Sequence, residues 1–424
     1  MRRDVVMRRF PKGGARRRGG RSVICVLALA AVPVTWSCAG DASVEGAWGG
    51  TVDTLAGGGI RVVSPDKGLW SEGAEWRVEE DLRIGSLQSE GPDMFGEIAD
   101  LAVDGAGKIF VLEQQAHELR VFDADGSYIR TIGREGAGPG ELNLGFGGEV
   151  FIKASGRIWI NNFRNRRWEL FSTEGEPMAS TPMMGRVMVS NTVMGKDGVF
   201  HERGRVRPTN GGESRPVIIR KQVRGDSLVV LDTIDAPRLP EGEAIQASLS
   251  SGGRMVQIIL PVPFVHQPRW SFDPAGYFWV APDDGYRLLA LSPDLDTLRI
   301  IERLFEPVPV TSAEIDEITK RYMNEVLAGT GVTIDRSRIP DHHPAIDTYQ
   351  TDADGNLWVR RSLGGDLIAW EVFDEDGRFL GKVESDLDLE RLTVHEITSD
   401  AVYGVFRDDL DVQYVVRLRI RKGG

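Results

Sequence analysis

The sequence predicts an all-β fold, a six-bladed β-propeller of four-stranded antiparallel blades closed by an N-terminal strand, with one helical insertion. Three observations carry this: a turn-plus-aromatic-strand unit recurs six times, a second hairpin follows most copies, and a spare strand lies at the far end of the chain. The copies run from Asp104 to Val111, Ala154 to Ile160, Lys196 to Phe200, Asp273 to Val280, Asp354 to Val359 and Ser399 to Gly404. Their aromatic column reads Phe110, Trp159, Phe200, Trp279, Trp358, Tyr403. Internal repeats of this kind are read before any motif, because each unit is one supersecondary element. Turns rich in Asp, Asn and Gly between β-branched and aromatic runs have the chemistry of a tight hairpin.

The second hairpins are Leu119 to Ile132, Trp168 to Gly175, Val217 to Ile234, Arg287 to Ile301 and Trp370 to Leu380. Two hairpins make a four-stranded meander that cannot bury both faces alone, and packing six of them radially solves the problem. The last copy ends after Val412 to Ile420, one strand short. Trp76 to Ile84 supplies the missing strand as the outer member of the sixth sheet, which closes the ring and covers an edge. Upstream, Thr51 to Thr54 and Ile60 to Val63 read as a small hairpin, and residues 39–47 as a tether.

Two spacings in the aromatic column are long, 79 residues each from Phe200 to Trp279 and from Trp279 to Trp358, and mark insertions. The second insertion holds Thr311, Ser312, Ala313 and Glu314, a capping box, followed by Ile315, Ile318, Tyr322 and Val326 at helical spacing. The expectation is a helix lying on the propeller with one apolar stripe down.

The start of the chain has a different character. The first 22 residues hold nine Lys or Arg against Asp4, and an apolar run follows from Val23 to Val34, the length of a secretory signal and short of a membrane span. Cys38 follows in a setting that looks like a bacterial lipobox; Ser37 suits the position before the cut, whereas Thr35 and Trp36 depart from the pattern. Lipidation there would give stable anchoring. The expected divisions are a signal peptide over 1–37, a tether and hairpin over 38–74, and the propeller over 75–421 with an insertion at 306–345. The expected place is the bacterial cell envelope, lipid-anchored and facing periplasm or exterior.

Removing residues 1–37 takes the formal net charge from −12 to −20. Such a body repels phosphate backbones, so nucleic acid is excluded as a partner. The only cysteines are Cys25 and Cys38, so disulfides, thiolate zinc sites and a cysteine nucleophile are excluded downstream.

The sequence resembles the NHL-type and TolB-like six-bladed propellers of bacterial surface proteins. The resemblance rests on Ile84 and Gly85, Gly91 and Pro92, Phe95 and Gly96, Asp104 to Val111, Val121 to Gly126 and Ile132 to Glu141, and covers about residues 75–421. It implies the fold and a place outside the cytoplasm. It implies no reaction, since such a fold hosts scaffolds, receptors and enzymes alike.

In a four-stranded meander the a-to-b and c-to-d turns fall at one end, and the b-to-c and d-to-a loops at the other. Here the short Asp-Gly turns belong to the first end and the long loops (85–97, 133–148, 236–268, 306–345) to the second. Binding residues concentrate on long loops held by a rigid scaffold, so the second face is the candidate. It carries His117, His266, His342 and His343. A solvated loop histidine is the bland reading of each; together His266, His342 and His343 are candidates to hold a divalent metal or move protons. The b-to-c loops add Arg164, Arg166, Arg167, Arg203, Arg205, Arg360 and Arg361, whose forks suit carboxylate or phosphate, although pairing with neighbouring acids is as good an account. The site expected from sequence is therefore His266, His342, His343, Arg164, Arg360 and Arg361.

Gly136 to Gly140 is not a phosphate loop, the Asp-x-Asp-Gly turns lack a calcium loop's later ligands, and the His-Glu pairs lack a zincin's second histidine. No motif specifies an enzyme. The expected function is a membrane-anchored binding or scaffold propeller for an envelope protein or a small anionic ligand; the alternative is a metal-dependent hydrolase or lyase of the lactonase-like or amidating-lyase-like kind.

Overall fold

The computed structural model describes residues 48–424 apart from 89, 146–147, 153–154, 184–191, 207–211, 241, 252–253, 366 and 424. Cys38 and the apolar run before it lie outside the described residues. In chain order, a hairpin of β1 (Thr51–Thr54) and β2 (Ile60–Ser64) precedes β3 (Arg77–Ile84). Blade 1 follows as β4 (Ile98–Val103), β5 (Ile109–Glu113), β6 (Glu118–Phe122) and β7 (Tyr128–Ile132). Blade 2 is β8 (Glu149–Ile152), β9 (Ile158–Asn162), β10 (Arg167–Phe171) and β11 (Pro177–Pro182). Blade 3 is β12 (Thr192–Met194), β13 (Val199–Val206), β14 (Arg215–Arg224) and β15 (Ser227–Asp235).

A separate hairpin of β16 (Ala244–Ser251) and β17 (Arg254–Pro261) leads to blade 4, which is β18 (Arg269–Phe272), β19 (Phe278–Ala281), β20 (Arg287–Leu291) and β21 (Thr297–Arg303). Helix α1 (Ser312–Arg321) comes next. Blade 5 is β22 (Thr348–Thr351), β23 (Leu357–Gly364), β24 (Leu367–Phe373) and β25 (Phe379–Ser385). Blade 6 contributes β26 (Leu392–Ile397), β27 (Ala401–Arg407) and β28 (Gln413–Arg421) from the chain's end, and β3 from its start.

That last pairing closes the ring: β3 runs antiparallel to β28, from Ile84 opposite Val415 to Arg77 opposite Arg421. Strand alternation then seals each blade to both neighbours, since successive side chains point to opposite faces. In β9, Ile158 and Ile160 enter the core shared with blade 1, and Trp159 enters the core shared with blade 3. Six such cores follow one another around the ring, including one between blades 6 and 1 in which Ile84, Tyr403 and Val415 meet Leu101, Val111 and Phe122.

The aromatic column has five members rather than six. Phe110, Trp159, Trp279, Trp358 and Tyr403 all face the next blade, whereas Phe200 packs backward against Trp159 and Trp168. The column position of blade 3 belongs to His201, stacked 4.6 Å from Phe272 of blade 4. Asp273 and Asp352 each accept a hydrogen bond from the indole six residues on, Trp279 at 2.8 Å and Trp358 at 3.0 Å. The corresponding turn residue in blade 3 is Gly195, which has no carboxylate to offer.

The segment before β3 is a belt over the outer edges of blades 4 to 6. Strand β2 adds in parallel to β21, the amides of Leu69 and Trp70 donate to the carbonyls of Phe379 and Leu380 on β25, and β3 completes blade 6. Trp70 stacks on Trp76 at 5.2 Å. Open strand edges invite unwanted pairing, and the belt covers three of the six.

Two expectations about the insertions change. The connection 236–268 is not all loop, because β16 and β17 pair over eight positions. Nor does α1 lie on the blades: Ile315 and Tyr322 pack against Ile245, Ala247 and Val262 of that hairpin, in a core of their own. An amphipathic helix buries its stripe against the nearest apolar face, and the hairpin offers one at Ile245 and Ala247. The two insertions therefore form a cap over one side of the ring.

Candidate functional site

Between the cap and blades 4 and 5, on the long-loop side, lies a cleft of about 370 Å³. Its apolar wall comes from Phe264 and Val265 after β17, Ile318 and Tyr322 on α1 and beyond, and Ile346 and Ile368 of blade 5. Its polar rim includes Arg269, Glu314, Arg321, His343, Asp347 and Arg360.

Glu314 is the hinge pin of the cleft. It closes the capping box with Thr311, accepting from that residue's amide at 2.7 Å and hydroxyl at 2.6 Å. Its other oxygen accepts from the Gly365 amide at 2.7 Å and pairs with His343 Nε2 at 2.9 Å. One carboxylate thus ties the helix start, the insertion's return strand and a blade 5 loop. Burial alone would raise its pKa; the Thr311 and Gly365 hydrogen bonds and the His343 charge outweigh that and bring it to about 2. His343 is buried and meets the Phe264 ring edge-on at 5.0 Å.

The other residues expected from sequence scatter. Arg360 lines the cleft and is held by Asp347, so its charge is already matched. Arg361, the next residue, points the opposite way because both sit on β23, which extends to Gly364 where a loop was expected. Its guanidinium is buried between blades 4 and 5 with Arg303, and Glu371 answers both. His266 turns from the cleft: Nε2 lies 3.2 Å from the Ala281 carbonyl, and burial, only partly offset by that bond, lowers its pKa. His342 is exposed, and Arg164 stands exposed on blade 2, away from the cleft. The three histidines do not converge, and among the described residues no group of three or more His, Cys, Asp or Glu could hold a metal ion.

Arg269 and Arg321 were not expected, and they are the cleft's open cations. Neither has an ion-pair partner among the described residues, and Arg269 Nε reaches only the Gln267 carbonyl at 3.5 Å. Their signal was weak, one at the start of a strand and one at a helix end. The capping box did mark Glu314, although as a helix start and not as a site.

No helix among the described residues is long and apolar enough to cross a membrane. No curated protein matches the sequence. Three solved structures are similar in part: a member of the DUF4221 family from Bacteroides vulgatus (11% identity, 82% of this chain and 99% of that chain, TM-score 0.46), virginiamycin B lyase from Staphylococcus aureus (10%, 81% and 99%, 0.40) and the calcium-binding protein regucalcin from Agrobacterium tumefaciens (12%, 85% and 97%, 0.35). Residues 87–144, which run from the loop before β4 through blade 1 to the approach to blade 2, match the family model described as a 6-bladed beta-propeller.

Proposed function

We propose that the chain is a binding propeller of the bacterial cell envelope, held at the membrane through Cys38, and that it takes an anionic ligand with an apolar body in the cleft beneath the cap. The observation that carries the reading is the pairing of an apolar wall (Phe264, Ile318, Tyr322, Ile368) with two open cations, Arg269 and Arg321, on the long-loop face. Ligand sites typically combine an apolar lining with a few placed polar groups. An arginine fork suits a carboxylate or phosphate, and Arg360 is excluded from that role by Asp347. The export reading rests on the basic start, the apolar run from Val23 to Val34 and Cys38.

Thermal melts with decanoate, dodecyl phosphate and neutral decanol test the cleft. Ligand at a hundredfold excess over Kd stabilises by about 2.7 kcal/mol. The two anions should raise Tm, decanol should not, and the shift should fall at least tenfold in apparent affinity in Arg269→Ala/Arg321→Ala. A shift that survives the double variant, or is equal with decanol, contradicts the reading. Metabolic labelling with a fatty acid should mark the wild type and not Cys38→Ala; equal labelling rejects the anchor.

A further inference from the structure

The opposite face of the ring carries a second concavity, larger than the cleft at about 640 Å³, between blades 4 and 5 and reaching the innermost strand of blade 6. Tyr277 and Trp279 form part of its wall, and His395 and Glu396 stand at its inner end. Both innermost strands that meet there are bulged: β26 between Val394 and Glu396, and β4 between Ile98 and Asp100. A bulge re-aims side chains, and bulges collect beside functional sites.

These two bulges set His395 of blade 6 against Asp100 of blade 1, Nδ1 to Oδ1 at 2.9 Å. Asp100 is held as an acceptor, since the amides of Leu101 and Val150 each donate to it at 2.9 Å. In the neutral imidazole Nδ1 is then the donor, which leaves Nε2 as an acceptor at the inner end of the concavity that His395 lines. Third-group orientation of an imidazole in this way recurs wherever a histidine must accept a proton or hydrogen bond in one direction. Glu396 is drawn to about 7, chiefly by burial with the Asp100 charge adding to it and the Val103 amide opposing.

The chemistry of the walls favours a neutral ligand rich in donors. The acceptors are His395 Nε2, the Ala353 carbonyl and the exposed carboxylates of Glu375 and of Asp354, the latter shared with Lys422 at 3.2 Å. Asp273 and Asp352 are committed to indoles and turn amides. Of the cations, Arg299 is engaged by the Glu375 carbonyl and Asp376, leaving Lys196, whose ammonium among the described residues reaches only the Ala353 carbonyl at 3.4 Å. The carboxylates of Asp100, Asp354 and Glu375 disfavour an anion, and the Lys196 ammonium disfavours a cation. The ring face of Tyr277, which is exposed, suits the apolar face of a sugar.

We propose that this concavity is a second binding site, for a polyhydroxylated neutral ligand of the saccharide class, in which His395 Nε2, oriented by Asp100, accepts a hydrogen bond from a ligand hydroxyl. It is independent of the cleft beneath the cap. The test is NMR of the full chain with labelled histidine, whose 15N shifts report which ring nitrogen carries the proton. His395 should be protonated at Nδ1 and bare at Nε2; a proton on Nε2 overturns the proposal without any ligand. The probes are then cellobiose, maltose and diacetylchitobiose, with glucuronate and glucosamine as charged counterparts. At least one neutral disaccharide should shift the His395 resonances saturably and leave His343 unmoved, and its affinity should fall at least tenfold in His395→Ala and in Asp100→Asn but not in Arg269→Ala. No response to any neutral disaccharide, or a response to glucuronate or glucosamine alone, overturns it.

Discussion

Replacing Glu371 by Gln should be among the most damaging single-atom changes in the ring. Its carboxylate is fully buried between blades 4 and 5, where Arg303 donates to both oxygens at 2.8 Å, Tyr286 donates its hydroxyl at 2.6 Å, and Arg361 approaches at 3.4 Å. Two buried guanidiniums thus share one buried anion, and the Nε groups of both already lack an acceptor. Arg303 has a second partner in Asp66, which is itself mostly exposed. Removing one partner of a buried pair costs about 3–5 kcal/mol, because the remaining charge is left without compensation. For a domain of this size that is a loss of roughly 4–7 °C in Tm. Urea unfolding followed by tryptophan fluorescence measures it. Since the cost is that of stranded cations, removing all three charges together (Glu371→Leu, Arg303→Met, Arg361→Leu) should restore most of the loss. A Glu371→Gln change under about 0.5 kcal/mol, or a triple variant worse than the single one, would refute the reasoning.

Further consequences follow from other sites. Glu396 keeps its proton in the fold to about pH 7 but only to about 4.5 when unfolded, so its ionisation destabilises the ring as pH rises through that window. Glu396→Gln should therefore match wild type below pH 4.5 and exceed it by up to about 3 kcal/mol above pH 7, read from urea midpoints at pH 4.5 and 8. Glu314 has the opposite sign: its pKa is depressed to about 2, so its contribution is complete above about pH 4.5 and fades as pH falls toward 2. Glu314→Ala should loosen the cap by about 1–2 kcal/mol, seen as faster proteolysis within 306–345 at neutral pH while the ring's melt is little changed. At Gly381 a Cβ would lie 2.3 Å from the Trp70 ring, so Gly381→Ala should unseat the belt at a cost of about 1–3 kcal/mol, visible as quenching or exposure of tryptophan emission.

What could be read from the chain divides along physical lines. Six blades and the closing strand were legible because alternation and turn chemistry are local, and because a missing strand at one end had a match at the other. The Phe200 register was misread because blade 3 has Gly195 and His201 where blades 1, 4 and 5 keep an Asp six residues before the aromatic. The hairpin β16–β17 had its own signal, the alternation of Ile245, Ala247 and Leu249 with polar neighbours, and was lost to the expectation of a loop. Sites were harder. Arg360 and Arg361 are adjacent in sequence and face different environments, which depends on how far β23 runs. His395 sits in a strand with no motif around it, and only the juxtaposition of the first and last blades brings Asp100 to it.

The closure of the ring is tested most directly by linking β3 to β28. With Cys25 and Cys38 replaced by alanine the chain has no thiol, so a cysteine pair is read without background. Glu79 lies directly opposite Arg419, whereas Ile420 is opposite Val78 and faces the other side of the sheet. A short bis-methanethiosulfonate, which loses one methanesulfinate at each thiol, should join Glu79→Cys to Arg419→Cys, giving a cyclised band of altered mobility on a non-reducing denaturing gel, and should not join Glu79→Cys to Ile420→Cys. Equal joining of both pairs, or of neither, would contradict a ring zipped shut by its own N-terminal strand.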